Sequence, residues 1–277
     1  MSLLARIAIL AVLLLVLLVL APAVTLWAMQ ERFLFPVRHG DTPVAASGIW
    51  RTGHVELPGA GRIAFLHADT GANPEAPVLL YLHGNASSAA LAATITTGLA
   101  EAGIPVVAAE YPGYSGNPGA PSEAALKATA EATAAWARAR WPTRRLAVLG
   151  ESIGSAPAVH LAATGVADLL VIDSGFTSMT ETIRQHMPWL PGLAWLNRHP
   201  MDSIGALRAA ASRLPPTLVM VSAEDSVVPT AMGEALAAAI PGSRLVRSEW
   251  SGHPVLYGDP PSRQLLLRWL LAEGSRR

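Results

Sequence analysis

Leu146-Ala147-Val148-Leu149-Gly150-Glu151-Ser152-Ile153-Gly154, followed by Ser155-Ala156-Pro157-Ala158-Val159-His160, is the stretch around which the chain is organised. Leu146 to Leu149 form a short apolar run that fits the end of a buried strand, and the Ala-rich residues Ser155 to Ala163 fit a helix. Between them Gly150-Glu151-Ser152-Ile153-Gly154 must turn sharply. A strand that passes directly into a helix brings the two backbones together, so small residues must flank the turn. Gly150 and Gly154 stand at those positions. Ser152 is then pushed out of the sheet edge with its hydroxyl exposed. The helix behind it aims N–H groups at the same place, which suits a developing negative charge. A bare G-x-S-x-G also fits a plain glycine-rich turn. The strand before it and the helix after it are what make it a nucleophile position.

Outward from this stretch the pattern alternates. Ile49 to Leu57 and Arg62 to His67 flank Pro58-Gly59-Ala60-Gly61, a hairpin signal. Short apolar runs at Val78–Leu82, Ile104–Ala109, Leu169–Ile172, Thr217–Val221 and Leu245–Glu249 read as strands. Ser87–Ala102, Pro121–Arg140, Thr230–Ile240 and Ser262–Glu273 read as helices, the first stopped by Gly103 and the second opened by Ser122. Continuous rather than alternating apolar strands imply that both sheet faces are covered. The expected class is therefore α/β with a mostly parallel central sheet and helices on both faces. One segment breaks the alternation. Residues 176–214, holding Trp189, Leu190, Leu193, Trp195 and Leu196, read as a small helical lid with an apolar inner face, or alternatively as an irregular crossover.

Ile7 to Met29 is a run of 23 residues without a charge. As a helix it measures roughly 35 Å, enough to cross a hydrocarbon core of about 30 Å. Two readings compete. In the first, residues 1–29 are an uncleaved single-pass anchor, with Trp27 at the far interface. In the second they are a secretory signal cut near Ala21-Pro22-Ala23. The anchor is favoured because the apolar stretch continues past Ala23. An anchor with its amino end inside puts the rest of the chain outside the cytoplasm, although Arg6 against Arg32 and Arg38 specifies that orientation only weakly. Residues 30–48 read as a linker, with Pro36, Gly40 and Pro43, and residues 49–277 as one domain.

The chain's 277 residues carry 20 Lys plus Arg against 20 Asp plus Glu, so no basic field points to nucleic acid. The absence of cysteine removes disulfides, a thiol nucleophile and thiolate metal sites. No H-E-x-x-H or similar spacing is present, and nothing in the sequence implies a metal or cofactor.

A serine hydroxyl needs a base, and the base an orienting acid. Asp225 sits in Ser222-Ala223-Glu224-Asp225-Ser226, just past a strand's carboxyl end, where the functional groups of an open α/β sheet collect. His253 lies in Ser251-Gly252-His253-Pro254, after the last strand. The alternatives are a turn-forming role for Asp225, with Asp173 or Glu224 as the acid. His83 also follows a core strand, but it comes too early in the chain order and reads as a buttress. An acyl intermediate further needs fixed N–H donors. Ile153 offers one, and Asn85 in Leu82-His83-Gly84-Asn85 offers the second.

Taken together, Leu82-His83-Gly84-Asn85, Gly150-Glu151-Ser152-Ile153-Gly154 and the order Ser152, Asp225, His253 resemble the α/β-hydrolase superfamily. Tyr111-Pro112-Gly113-Tyr114-Ser115-Gly116-Asn117-Pro118-Gly119 and Arg32-Phe33-Leu34-Phe35-Pro36 resemble one subgroup. These are membrane-anchored serine hydrolases, including depalmitoylase-like, lysophospholipase-like and serine-aminopeptidase-like members. The resemblance covers roughly Gln30 to the C-terminus and is specific for mechanism rather than substrate. It implies a catalytic Ser152, Asp225 and His253, an oxyanion hole from the Asn85 and Ile153 amides, and an ester or thioester of an acyl or lipid-derived compound as substrate. Trp189, Leu190, Leu193 and Trp195 would then line the acyl site. One departure is Pro254-Val255 directly after His253, where many members carry polar residues. The remaining alternatives are a serine aminopeptidase and a non-catalytic binding module on the same fold.

Overall fold

The computed structural model describes residues 2–36, 44–189 and 191–274. Its centre is an eight-stranded sheet in the order β1-β2-β4-β3-β5-β6-β7-β8. The strands are β1 (Arg51–Leu57), β2 (Gly61–Ala68), β3 (Val78–Leu82), β4 (Val106–Ala108), β5 (Leu146–Glu151), β6 (Leu169–Asp173), β7 (Thr217–Glu224) and β8 (Arg244–Ser251). β1 and β2 form the expected antiparallel hairpin, β2 pairs antiparallel with β4, and the other pairings are parallel.

The continuous apolar strands are explained by a core on each face. Along β3, Val78, Leu80 and Leu82 enter one buried cluster, while Leu79 and Tyr81 enter the other. β5, β6 and β7 alternate in the same way. The first face is covered by α3 (Glu123–Arg140), α4 (Ser155–Ala163), α6 (Ser203–Ala209) and α7 (Thr230–Ala238). The second is covered by α2 (Ala89–Glu101) and α9 (Pro260–Gly274). Side-chain oxygens of Ser88 and Ser122 accept the free N–H groups of Leu91 and Ala125, which fixes where α2 and α3 begin. A single turn, α8 (Val255–Gly258), links β8 to α9.

Several strands outrun their apolar signal. β5 continues through Glu151 because it stays in register with β6, Glu151 opposite Asp173. β7 continues past Val221 to Glu224, with an irregularity between Ser222 and Glu224 where it pairs with β8.

The N-terminal apolar run forms α1 (Leu3–Leu34), whose most apolar window is unburied and has a mean hydropathy of 3.2. This helix is long and apolar enough to cross a membrane. It also runs five residues further than expected: residues 30–34 are helical rather than part of a linker. Pro36 explains the stop, because the residue before a proline avoids the α region, and Phe35 sits at φ −127°, ψ 76°. Gly40 and Pro43 of the expected linker lie outside the described residues.

In the segment expected to be a lid, α5 (Met179–His186) is followed by a 3-10 stretch, Pro191–Leu196. α6, by contrast, belongs to the main helical layer, with Leu207 fully buried in the first core. The lid reading therefore does not extend to α6.

Candidate active site

Because β5, β7 and β8 run parallel, the loops after them emerge at one edge of the sheet. That is where the site lies. Ser152 occupies the left-handed region at φ +51°, a strained position for a residue with a side chain. The strain is imposed by crowding around the turn. A Cβ on Gly150 would fall against the Gly154 carbonyl, Ser155 and Ala158, and one on Gly154 against the Leu82 and His83 carbonyls. Only glycine lets α4 follow β5 this closely.

His253 stands between the other two residues. Its Nε2 lies 2.9 Å from Ser152 Oγ and its Nδ1 lies 2.7 Å from Asp225 Oδ2. With Nδ1–H donating to the carboxylate, Nε2 is left to accept the serine proton. The Asp225 side chain is 2% exposed. Its Oδ1 accepts the N–H groups of Val227 and Val228, each at 2.8 Å. Asp225 thus makes the turn with one oxygen and faces His253 with the other. Ser222 Oγ donates to the Gly252 carbonyl at 2.7 Å and ties the two loops together.

Asp173 does not reach the imidazole. Its two oxygens accept the N–H groups of Val255 and Leu256 at 3.0 and 3.1 Å and hold the loop that carries His253. Burial, and next the Glu151 charge, push its carboxyl up to about 7.

The Ile153 amide lies in the first turn after the elbow, where N–H groups have no intrahelical acceptor. Asn85 sits on the facing loop after β3. Its side chain donates from Nδ2 to the Leu34 carbonyl at 2.6 Å and accepts at Oδ1 from Tyr114 Oη at 2.8 Å. That loop is supported by buried charge. His83 Nε2 lies 2.6 Å from Glu110 Oε1, and Nδ1 lies 2.7 Å from the Gly84 carbonyl. Both ring nitrogens face acceptors, so only the imidazolium satisfies both. Burial opposes that charge, but the Glu110 carboxylate beside it raises the His83 pKa above its ordinary value. Burial likewise opposes the Glu110 charge, but His83 and its hydrogen bond lower the Glu110 pKa. Glu110 Oε2 also accepts from the Ala89 N–H and from Ser115 Oγ, at 2.9 and 2.7 Å. His83 therefore occupies the buttressing position read from the sequence.

Glu151 received no role from the sequence. It is buried, accepts from Tyr81 Oη at 2.6 Å and from the Gly84 N–H at 3.2 Å, and burial raises its pKa. It ties the elbow strand to the loop of Asn85. A Cβ on Gly84 would collide with it. The available signal was a carboxylate at the end of an otherwise apolar strand. Tyr257 Oη lies 2.5 Å from Ser87 Oγ, at the start of the segment that caps α2.

The residues expected to line the acyl site are placed differently from one another. Trp189 is 73% and Trp195 81% exposed. Leu190 lies outside the described residues, as does the Leu193 side chain. Among the described residues no group of three or more His, Asp or Glu side chains is arranged to hold a metal ion.

The model for the alpha/beta hydrolase fold family matches residues 77–199. An uncharacterized protein of Mycobacterium tuberculosis is 34% identical over 221 residues, covering 77% of this chain and 76% of the relative. The chain belongs to the α/β-hydrolase family. The lysophosphatidylserine lipase ABHD12 of Danio rerio is 29% identical over 179 residues, covering 58% of this chain and 46% of the relative. This α/β-hydrolase thus spans about half the length of that lipase. An esterase of Pyrococcus furiosus superposes with a TM-score of 0.64 at 15% identity, covering 84% of this chain and 98% of the esterase. At that identity the likeness is one of fold.

Proposed function

We propose that this α/β-hydrolase is a membrane-anchored serine hydrolase that cleaves an ester or thioester of an acyl or lipid-derived compound. The observation that carries the reading is His253, hydrogen-bonded to Ser152 on one side and Asp225 on the other. In the first half-reaction His253 Nε2 takes the Ser152 proton as Oγ bonds to the acyl carbon. The imidazolium, held by Asp225, returns that proton to the departing alcohol or thiol as its bond breaks. In the second, water gives a proton to His253 and its oxygen attacks the acyl-serine. His253 passes that proton to Ser152 Oγ as the acyl–oxygen bond breaks, so the acid leaves and Ser152 is restored. The amides of Asn85 and Ile153 stabilise the oxyanion in both steps. A lipid-like substrate is supported by the resemblance to a lysophosphatidylserine lipase and by the length and apolarity of α1. Read as an anchor with its amino end inside, α1 puts the domain on the non-cytoplasmic face.

The test is covalent labelling of full-length, detergent-solubilised protein with a fluorophosphonate probe. Wild type should label and Ser152→Ala should not. The wild type should then hydrolyse p-nitrophenyl esters, with Asp225→Asn slower by roughly 10³- to 10⁴-fold. Folded wild type that neither labels nor turns over any ester would overturn the reading in favour of a binding module.

A further inference from the structure

The end of α1 is built into the hydrolase domain, and an apolar groove lies where the two meet. One wall is Leu26, Trp27 and Leu34 of α1, and the other is Ile183 of α5, Met187 directly after it and Leu196 of the 3-10 stretch. We propose that this groove is the acyl-chain site, and that its occupant is the fatty chain of a membrane lipid entering sideways from the bilayer. This inference rests on the serine-hydrolase reading and names its substrate class.

Three observations carry it. First, both walls stand on the loops of the candidate active site. The Leu34 carbonyl accepts from Asn85 Nδ2, and His186 Nε2, at the end of α5, lies 2.7 Å from the carbonyl of Val227, two residues past Asp225. Leu34 and Ile183 pack against the core cluster that contains Ile153. One wall of the groove is therefore tied to the loop of Asn85 and the other to the loop of Asp225.

Second, the walls are clamped together by polar contacts at the groove's edge. Gln30 Nε2 donates to the Leu196 carbonyl at 3.2 Å, and Gln30 Oε1 accepts the Arg198 N–H at 2.7 Å. Glu31 pairs with Arg198 and lies 3.3 Å from His199 Nε2, while the Arg198 guanidinium sits 4.8 Å above the Trp27 ring. Phe35 is buried with its ring edge-on to His199. These bonds fix how α1 leaves the domain.

Third, the groove lies at the depth of the membrane surface. From Ile7, just past Arg6, to Leu26 the uncharged part of the helix measures about 30 Å, which matches the hydrocarbon layer and leaves Trp27 at the interface. Phe33 and Met187, which line the groove, are exposed, as are Trp189 before the 3-10 stretch and Trp195 within it. An unpaired apolar rim around the foot of a membrane helix fits a lipid chain. It offers a peptide few hydrogen-bonding groups.

The test compares kcat/KM for p-nitrophenyl palmitate and acetate in the full-length protein. Met187→Trp fills the groove from a partly exposed position, so folding is not at stake. The palmitate-to-acetate ratio should fall by at least about tenfold, and by less than about twofold for Gln185→Trp on the outer surface of α5. An unchanged ratio in Met187→Trp, or equal losses in both variants, would overturn the proposal. A second readout needs no turnover. Ser152→Ala is reconstituted in phosphatidylcholine vesicles carrying a lipid with a diazirine at its acyl end. Crosslinks mapped to Ile183 and Met187 support the groove, and crosslinks confined to residues 3–25 reject it. Failure of fluorophosphonate labelling would instead reject the serine-hydrolase reading while leaving this lipid contact measurable.

Discussion

At the scale of single residues, the carboxylates divide the work by what each can reach. Asp225 bonds to the imidazole. Asp173, one strand away, is fully buried and bonds to the backbone that follows His253. Removing Asp173 therefore acts through position rather than through proton transfer. In Asp173→Ala the buried Leu256 N–H loses its acceptor, at about 1–3 kcal/mol, and the Val255 N–H keeps only its 3.3 Å bond to Ser174 Oγ. The expected outcome is a lower urea midpoint together with slower fluorophosphonate labelling. Unaltered labelling would mean that the His253 loop holds its place unaided. The sequence marked Asp225 and His253 by their places after strands. It left Asp173 as a rival acid because distance to the imidazole is not written in chain order.

Elements show the same division. The elbow was legible because its requirement is local. Two backbones that approach this closely exclude a Cβ, and a glycine at each flank announces it. Gly154→Ala would put its methyl against the Leu82 and His83 carbonyls, where backbone rather than a flexible side-chain end is the obstacle. The variant should be destabilised by more than about 2 kcal/mol in denaturant unfolding, and an exposed change such as Gly192→Ala should be near neutral. Equal midpoints for the two would remove the crowding argument. The boundaries of β5 and β7 were less legible because their last residues are polar. Glu151 and Ser222 stay in strand through pairing with neighbouring strands rather than through their own propensity. α6 looked like part of a lid for a related reason: its seven residues carry a weak pattern, and only its packing in the first core assigns it to the main layer.

Across the whole molecule, the His83–Glu110 pair predicts a pH signature. His83 has a raised pKa, so its contribution is complete below the ordinary histidine value and is lost as pH rises through the raised one. Glu110 has a lowered pKa, so its contribution is complete above the ordinary glutamate value and is lost as pH falls through the lowered one. Both contributions are complete from about pH 4.5 to about 6.5. The difference in Tm between wild type and a His83→Gln/Glu110→Gln double variant should be largest in that window and shrink on either side. A difference that keeps rising with pH through 8 would contradict the pairing. The Asp173 carboxyl, pushed up to about 7, works the other way: its effect on stability becomes less favourable as pH rises from its ordinary value toward 7. It is present in both proteins, so it drops out of the comparison to first order.

The sequence by itself determined the α/β class, the elbow, the order Ser152, Asp225, His253 and the apolar N-terminal helix. Each is written in periodicity, glycine placement or an unbroken apolar run, all properties of neighbouring residues. The tertiary structure decided which carboxylate meets His253, that Glu151 ties the elbow to the loop of Asn85, and that the foot of α1 joins Asn85 and Arg198. Those are contacts between residues far apart in the chain. They exist only once parallel strands bring their carboxyl ends to one edge and a helix that began outside the domain is clamped against it.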